Sequence, residues 1–190
     1  MLNTIHALFN HEGARRLFLA LRYLLALALV AVAAHYSHGE WLLPGFIVSM
    51  FGQLIQFWSF ASLVKNKELT VRGPYVAVRN PMYLGRYFLV LGFIMVLGNV
   101  WILLTYTLLY WFYMVNRVRR EEAKLASLLG EPYRAYCART NRFWPAFGKL
   151  ADPTARFFDV AVLRHNNGHW NFLATLIAWV MLVLYRRYLG

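Results

Sequence analysis

Two polar segments in an otherwise apolar chain carry residue types that could do chemistry. The first reads Arg72-Gly-Pro-Tyr-Val-Ala-Val-Arg79-Asn80-Pro81-Met82-Tyr83-Leu84-Gly85. Gly73-Pro74 and Asn80-Pro81 are turn dipeptides, so this stretch bends twice before the next apolar block. Bent backbone exposes donors and acceptors, and at a membrane these need protein or ligand partners, because irregular backbone cannot face lipid. The second segment is Arg117-Val-Arg119-Arg120-Glu121-Glu122-Ala-Lys124-Leu125. Arg117 and Glu121 are four apart, which on a helix puts a cation and a carboxylate on one face. The adjacent acids Glu121-Glu122 point to a cationic partner, since an inner membrane face otherwise favours bases. Each segment alone also reads as something ordinary, a basic juxtamembrane loop and a solvated helix with a salt bridge.

The remaining polar residues offer less. Of the six histidines, His6, His11, His35, His38, His165 and His169, only the last two have a metal-like spacing. Asn166-Asn167-Gly168 separates them and argues against one helix, so no metal site is expected. Cys137 is the single cysteine, which excludes a disulfide framework.

The elements that must position these segments are apolar helices. Hydrophobic residues make up 60% of the 190 and charged residues 15%, against about 45–50% and about 25% in soluble domains. A membrane-crossing helix needs about 20 apolar residues, and five blocks suggest themselves. They are Leu17 to Ala34 (interrupted by Arg22), Trp41 to Val64, Tyr83 to Leu97, Val100 to Val115, and the shorter Trp170 to Tyr185. The first reads as an anchor rather than a cleaved signal. Gln53 and Gln56 in the second share a face and should look into a bundle. Gly98-Asn99 is turn chemistry that makes a tight hairpin of the third and fourth. Arg117 to Leu129 continues the fourth helix out of the membrane until Gly130 and Pro132 end it. Ala151 to His165 reads as an interfacial helix presenting Phe157, Phe158, Val160 and Val162 to lipid. Arg86 is expected to snorkel.

The net charge of +12 gathers between the blocks. Bases flank apolar spans and form no stripe, which excludes a nucleic-acid-binding class. Lys65, Lys67, Arg72 and Arg79 in one connection, and the run from Arg117 to Lys124 in another, place both polar segments on the cytoplasmic side. Five spans would put Arg186-Arg187 on the opposite side, so either the last block stops short or two arginines do not decide. The expected fold is therefore all-α and integral to the membrane, with about five transmembrane helices. A site on its cytoplasmic face would be built by a loop, a helical hairpin and a juxtamembrane helix. Residues 1–64 form an N-terminal two-helix anchor, 65–147 the functional core, and 148–190 an extension with an interfacial helix and the last apolar helix.

Taken together, the polar runs resemble the isoprenylcysteine carboxyl methyltransferases and their relatives, the phospholipid N-methyltransferases. That family has a Gly-x-Tyr-x-x-x-Arg-His-Pro-x-Tyr loop, a short hairpin, a Glu-Glu pair, Phe-Gly-x-x-Tyr and an Arg-Phe-x-Pro-like end. The matching runs here are Gly73-Pro74-Tyr75, Arg79-Asn80-Pro81-Met82-Tyr83, Glu121-Glu122, Gly130-Glu131-Pro132-Tyr133 and Arg142-Phe143-Trp144-Pro145. They occur in order between Lys65 and Phe147. The resemblance implies S-adenosyl-L-methionine as methyl donor. It places Tyr75, Asn80, Pro81, Met82 and Tyr83 around that cofactor, with Lys67, Glu68, Leu69 and Thr70 as approach residues. Glu121 or Glu122 would hold a cationic or hydroxyl part of it, and Arg117 would be the catalytic arginine that binds the substrate's carboxylate. Asn80 stands where the family commonly has His, which implies hydrogen bonding rather than proton transfer there. The stretch 148–190 extends past the family's usual end.

Methyl transfer from a sulfonium is an in-line displacement. A carboxylate or phosphate acceptor is already anionic at neutral pH and needs no general base, only alignment and exclusion of water. An arginine suits such an acceptor. An amine would first have to lose a proton, for which Glu122 is the candidate. The expectation is a membrane S-adenosylmethionine-dependent methyltransferase acting on a membrane lipid or lipidated substrate at a carboxylate or phosphate oxygen. Its competitors are a phospholipid amine N-methyltransferase, an NADPH-dependent membrane reductase of related fold, and a non-catalytic membrane protein.

Overall fold

The computed structural model describes residues 12–64 and 68–189. Among them the regular elements are helical: α1 Glu12–His35, α2 Gly39–Ser62, α3 Pro81–Met95, α4 Val100–Leu129, α5 Glu131–Arg139, α6 Val160–His165 and α7 Gly168–Tyr188. Three short 3₁₀ turns occupy Gly73–Val76, Phe147–Ala151 and Pro153–Arg156. Lys67, with its neighbours Lys65 and Asn66, and the first eleven residues, His6 and His11 included, lie outside the described residues.

Each of the five apolar blocks is helical over most of its length. α2 and α7 are long and apolar enough to cross a membrane, whereas the apolar α3 has 15 residues. The block that looked short in sequence begins at Gly168, which gives α7 its 21 residues. α4 runs unbroken for 30 residues, about 45 Å, and carries its apolar first half directly into the Arg117–Lys124 run.

Two expectations are corrected. Gly130 does end α4, in the left-handed region at φ 61°, but Pro132 opens α5 instead of closing α4. In a first turn its missing N–H leaves no bond unmade. Ala151 to His165 is not one helix. Asp152 accepts from the Thr154 amide at 2.8 Å and starts a 3₁₀ turn. Asp159 then accepts from the Ala161 and Val162 amides at 2.7 and 3.1 Å and starts α6 afresh. Aspartates that capture local amides divide a helix into pieces.

The chain divides into two compact units, residues 1–49, 90–119 and 176–190, and residues 50–89 and 120–175. In the first, α2 and α3 approach so closely at Gly45 that a Cβ there would lie 2.6 Å from the Gly92 carbonyl oxygen. Trp179 of α7 stacks on Phe93 with ring centroids 4.7 Å apart, and its indole N–H donates to Ser49 Oγ at 2.9 Å. Small residues that admit close helix contact, with a buried polar pair, hold helices together where no hydrophobic effect can. Asn99 caps α4, accepting from the Trp101 amide at 2.9 Å and the Ile102 amide at 3.3 Å, so the Gly98-Asn99 turn forms as its sequence predicts.

In the second unit the close approach recurs. A Cβ on Gly85 would meet the Gly52 carbonyl oxygen at 2.7 Å and Gln56 Cγ at 2.8 Å. Gln53 and Gln56 are both buried. Gln53 donates to Asn171 Oδ1 at 3.0 Å and accepts from Thr175 Oγ1 at 3.2 Å, the interior pairing that apolar surroundings require. At the end of α2, the Asn166 amide donates to the Phe60 and Leu63 carbonyls at 2.9 and 2.8 Å. Those carbonyls have no partner within the helix. Asn167, at φ 59°, separates α6 from α7, so His165 and His169 lie on different helices.

Candidate functional site

The second unit holds a cluster centred on Glu122. Its side chain is buried on α4 and meets one amide donor and two cations. Asn80 Nδ2 reaches Oε1 at 3.3 Å, Arg79 Nε pairs with the same oxygen at 3.5 Å, and an Arg142 Nη lies 2.7 Å from Oε2. Removing a carboxylate from water is costly unless it is paired and hydrogen-bonded, and here both oxygens are engaged. Three distant stretches of sequence meet on one side chain.

Backbone bonds tighten the same junction. The Arg79 amide donates to the Asn141 carbonyl at 2.9 Å, and the Ala146 amide to the Ala77 carbonyl at 2.9 Å. Asn80 Nδ2 also reaches the Arg142 carbonyl at 3.2 Å. The segment after α5, with its Arg142-Phe143-Trp144-Pro145 run, thus lies against the loop that leads into α3. The loop is shaped by Gly73, whose φ of +59° belongs to the left-handed region that glycine adopts freely. A side chain there would also strike Ser62 at the end of α2. The 3₁₀ turn that follows buries Tyr75, and the Tyr136 hydroxyl of α5 donates to its carbonyl at 2.7 Å.

Three tyrosines surround this junction, all with raised pKa. For Tyr75 the cause is first burial, then repulsion from Tyr136 and from the Glu121 carboxylate. For Tyr136 burial raises it, the Arg79 cation works against that, and Cys137 and Glu122 add to it. For Tyr133 burial leads, followed by Glu122 and Cys137. All three are neutral hydrogen-bonding groups at physiological pH.

The structure brings together much of the residue set read from sequence and leaves part of it aside. Tyr75, Asn80, Pro81 and Glu122 gather at the junction, and the half-buried Glu121 acts on Tyr75 through its charge. Pro81 and Tyr83 are buried and Met82 half-buried at the start of α3. The Arg86 guanidinium lies 5.6 Å from the centroid of the Tyr83 ring. Arg117 is half-buried one turn before Glu121 on α4. Glu68 and Thr70 make local contacts instead. Glu68 pairs with Arg72 at 3.3 Å, and Thr70 Oγ1 accepts from the Val64 amide at 3.1 Å. Leu69 lines a cleft of about 590 Å³ with Tyr136, Arg139, Lys149 and Asp152.

Sequence reasoning did not single out Arg79, Tyr136 or Arg142 as functional residues. Arg79 and Arg142 were visible as letters of the matched runs. Tyr136 lies three residues after Tyr133 on α5, a spacing that puts the two rings on one face, with centroids 6.2 Å apart.

Comparison with known proteins identifies the family. The Schizosaccharomyces pombe protein named Protein-S-isoprenylcysteine O-methyltransferase is 36% identical to this chain over 83 residues, which is 41% of this chain and 35% of that protein. The chain therefore aligns with about a third of that relative's length. No solved structure matches. Residues 21–131 match the family described as Phospholipid methyltransferase. That stretch is more than half of the 190 residues and takes in both the Asn80 loop and the Glu121-Glu122 pair, so the chain belongs to the phospholipid methyltransferase family.

Proposed function

We propose that this protein is a multi-pass membrane methyltransferase that takes its methyl group from S-adenosyl-L-methionine and delivers it to an anionic oxygen of a lipid or lipidated acceptor at the cytoplasmic face. The observation that carries the reading is the Glu122 clamp, which gathers the Asn80 loop, the Glu-Glu run of α4 and the Arg142 segment into one unit.

The residues suit such a donor. The half-buried Glu121 carboxylate sets up a negative field beside Tyr75, where a cationic sulfonium or ammonium is favoured. Tyr75 and Tyr83 are buried beside this field, and an aromatic ring favours a neighbouring cation, as the Arg86 guanidinium near the Tyr83 ring already illustrates. When bound, S-adenosylmethionine supplies an electrophilic methyl. The chain's own residues bind, align and exclude water, contributions that can be large for well-oriented reactants.

The clamp also bears on the acceptor. Glu122 is committed to Arg79, Arg142 and Asn80, so it is poorly placed to take a proton from an amine. An oxyanion needs no such base, and Arg117, one turn before Glu121, can hold a carboxylate or phosphate by paired donors. The isoprenylcysteine O-methyltransferase relative names one acceptor of this kind.

The test is to bind S-adenosylmethionine to purified full-length protein, then supply donor labelled in its methyl group with total membrane lipid and identify the product by mass spectrometry. Label in an ester is the expected result. Label on a head-group nitrogen would transfer the reading to amine methylation. NADPH binding without S-adenosylmethionine binding would end it.

A further inference from the structure

A second cluster of basic side chains lies at the end of α2, built partly by the C-terminal residues to which the methyltransferase reading assigns nothing. A cleft of about 420 Å³ is lined by Arg72, Pro153, Thr154, Arg156 and Phe157, with no acid in its lining. Arg72 is fixed in place. Its guanidinium stacks 4.1 Å from the centroid of the Phe157 ring, Nε donates to the Ser62 carbonyl at 3.5 Å, and one Nη pairs with Glu68 at 3.3 Å. Arg156 is exposed, and among the described residues it has no acidic partner.

The depth of this cleft follows from its anchor. The Phe157 carbonyl accepts from Trp58 Nε1 at 3.1 Å and from Ser62 Oγ at 3.3 Å. Ser62 is the last residue of α2, a helix long and apolar enough to cross a membrane. With α2 taken as a span, the cleft sits where that helix would leave the apolar layer, at head-group height. Phe158 and Val160, 46% and 52% exposed, follow directly and suit the upper part of an acyl chain.

We infer that this cleft binds the phosphate of an anionic phospholipid, with Arg156 and Arg72 as its donors and the exposed Phe158 and Val160 against the lipid chains. Guanidinium holds phosphate by charge-assisted, often paired bonds. Stacking on Phe157 orders Arg72 in advance, so less freedom is lost when the ligand arrives. Surface attraction for anionic lipid alone would act on every exposed base alike. A built site makes Arg156 count for more than its neighbours. This lipid site needs no methyl donor and stands apart from the reaction.

The experiment titrates the full-length protein, in micelles of an uncharged detergent, with short-chain phosphatidylglycerol and follows binding by calorimetry. Arg156→Gln should weaken binding about tenfold or more, which corresponds to about 1.4 kcal/mol. Arg164→Gln, exposed at the end of α6 and outside the cleft, should bind as the wild type does. Inorganic phosphate at equal concentration should not displace the lipid. Unchanged affinity in Arg156→Gln, an equal loss in Arg164→Gln, or displacement by inorganic phosphate on equal terms would each overturn the assignment. A wild-type protein that binds this lipid but no S-adenosylmethionine would end the methyltransferase reading and leave this site standing.

Discussion

Asn80 donates its side-chain amide to Glu122 Oε1 at 3.3 Å, across 42 positions of sequence. The same amide nitrogen reaches the Arg142 carbonyl at 3.2 Å. An imidazole at this position could present only one ring N–H in a given direction. The asparagine instead spans two elements from a single nitrogen, which gives a structural account of Asn where the family commonly has His.

Glu122→Ala should destabilise the protein strongly. It leaves Arg79, whose side chain is 13% exposed, without its carboxylate, while Arg142 at 42% reaches solvent and recovers hydration. The expected cost is about 2–3 kcal/mol, below the figure for a wholly buried pair because of that exposure. Thermal unfolding in detergent micelles checks it, and a midpoint equal to the wild type's would remove the clamp from the account.

Above pH about 10 the fold should weaken, because three tyrosines around the junction titrate higher in the folded chain than in the unfolded one. The sign is that of a raised folded-state pKa. The unfolded chain loses these protons first, so stability is fully present below the unfolded value and falls as pH rises past it. Tyr136→Phe should reduce the alkaline sensitivity and cost about 1 kcal/mol through the lost bond to the Tyr75 carbonyl. Unfolding midpoints across an alkaline pH series decide this, and a flat profile in the wild type would refute it.

How much of this was readable beforehand depends on the range of the interaction. The helices followed from runs of apolar residues, and the Gly98-Asn99 turn from local chemistry. Gln53 and Gln56 faced inward because their spacing required a shared face. The fragments between Ala151 and His165 were missed because Asp152 and Asp159 act as caps. Composition gives an apolar stretch no hint of that unless each aspartate is weighed against the amides two residues on. The Glu122 clamp was half legible. The adjacent acids announced a cationic partner, but Arg79 and Arg142 could be named only once the chain had folded, since no local rule links positions 79, 122 and 142.

Gly85→Ala should loosen the second unit. A methyl there would lie 2.7 Å from the Gly52 carbonyl oxygen and 3.0 Å from the Gln56 amide nitrogen, both backbone atoms that can move only with their helix. Overpacking of this kind costs about 1–3 kcal/mol. Gly148→Ala, where a Cβ would meet nothing within 4 Å, is the matched control. Equal unfolding midpoints for the two variants would mean that α2 and α3 are not in close contact there.

Arg117 and Glu121 should separate cleanly by function. Both are on α4, one turn apart, but only Glu121 bears on Tyr75 through its charge. Under the proposed chemistry Glu121→Ala should lower S-adenosylmethionine affinity by about a hundredfold, the loss of about 2.7 kcal/mol expected for a charge-assisted contact. Arg117→Ala should leave donor affinity within a factor of about two and act on the acceptor instead, raising its KM and lowering kcat/KM. Calorimetric titration of donor into each purified variant reads the first half, and lipid methylation kinetics the second. The division of labour along α4 would be wrong if the two variants lost donor affinity equally, since a shared defect reports a damaged helix and not two distinct roles.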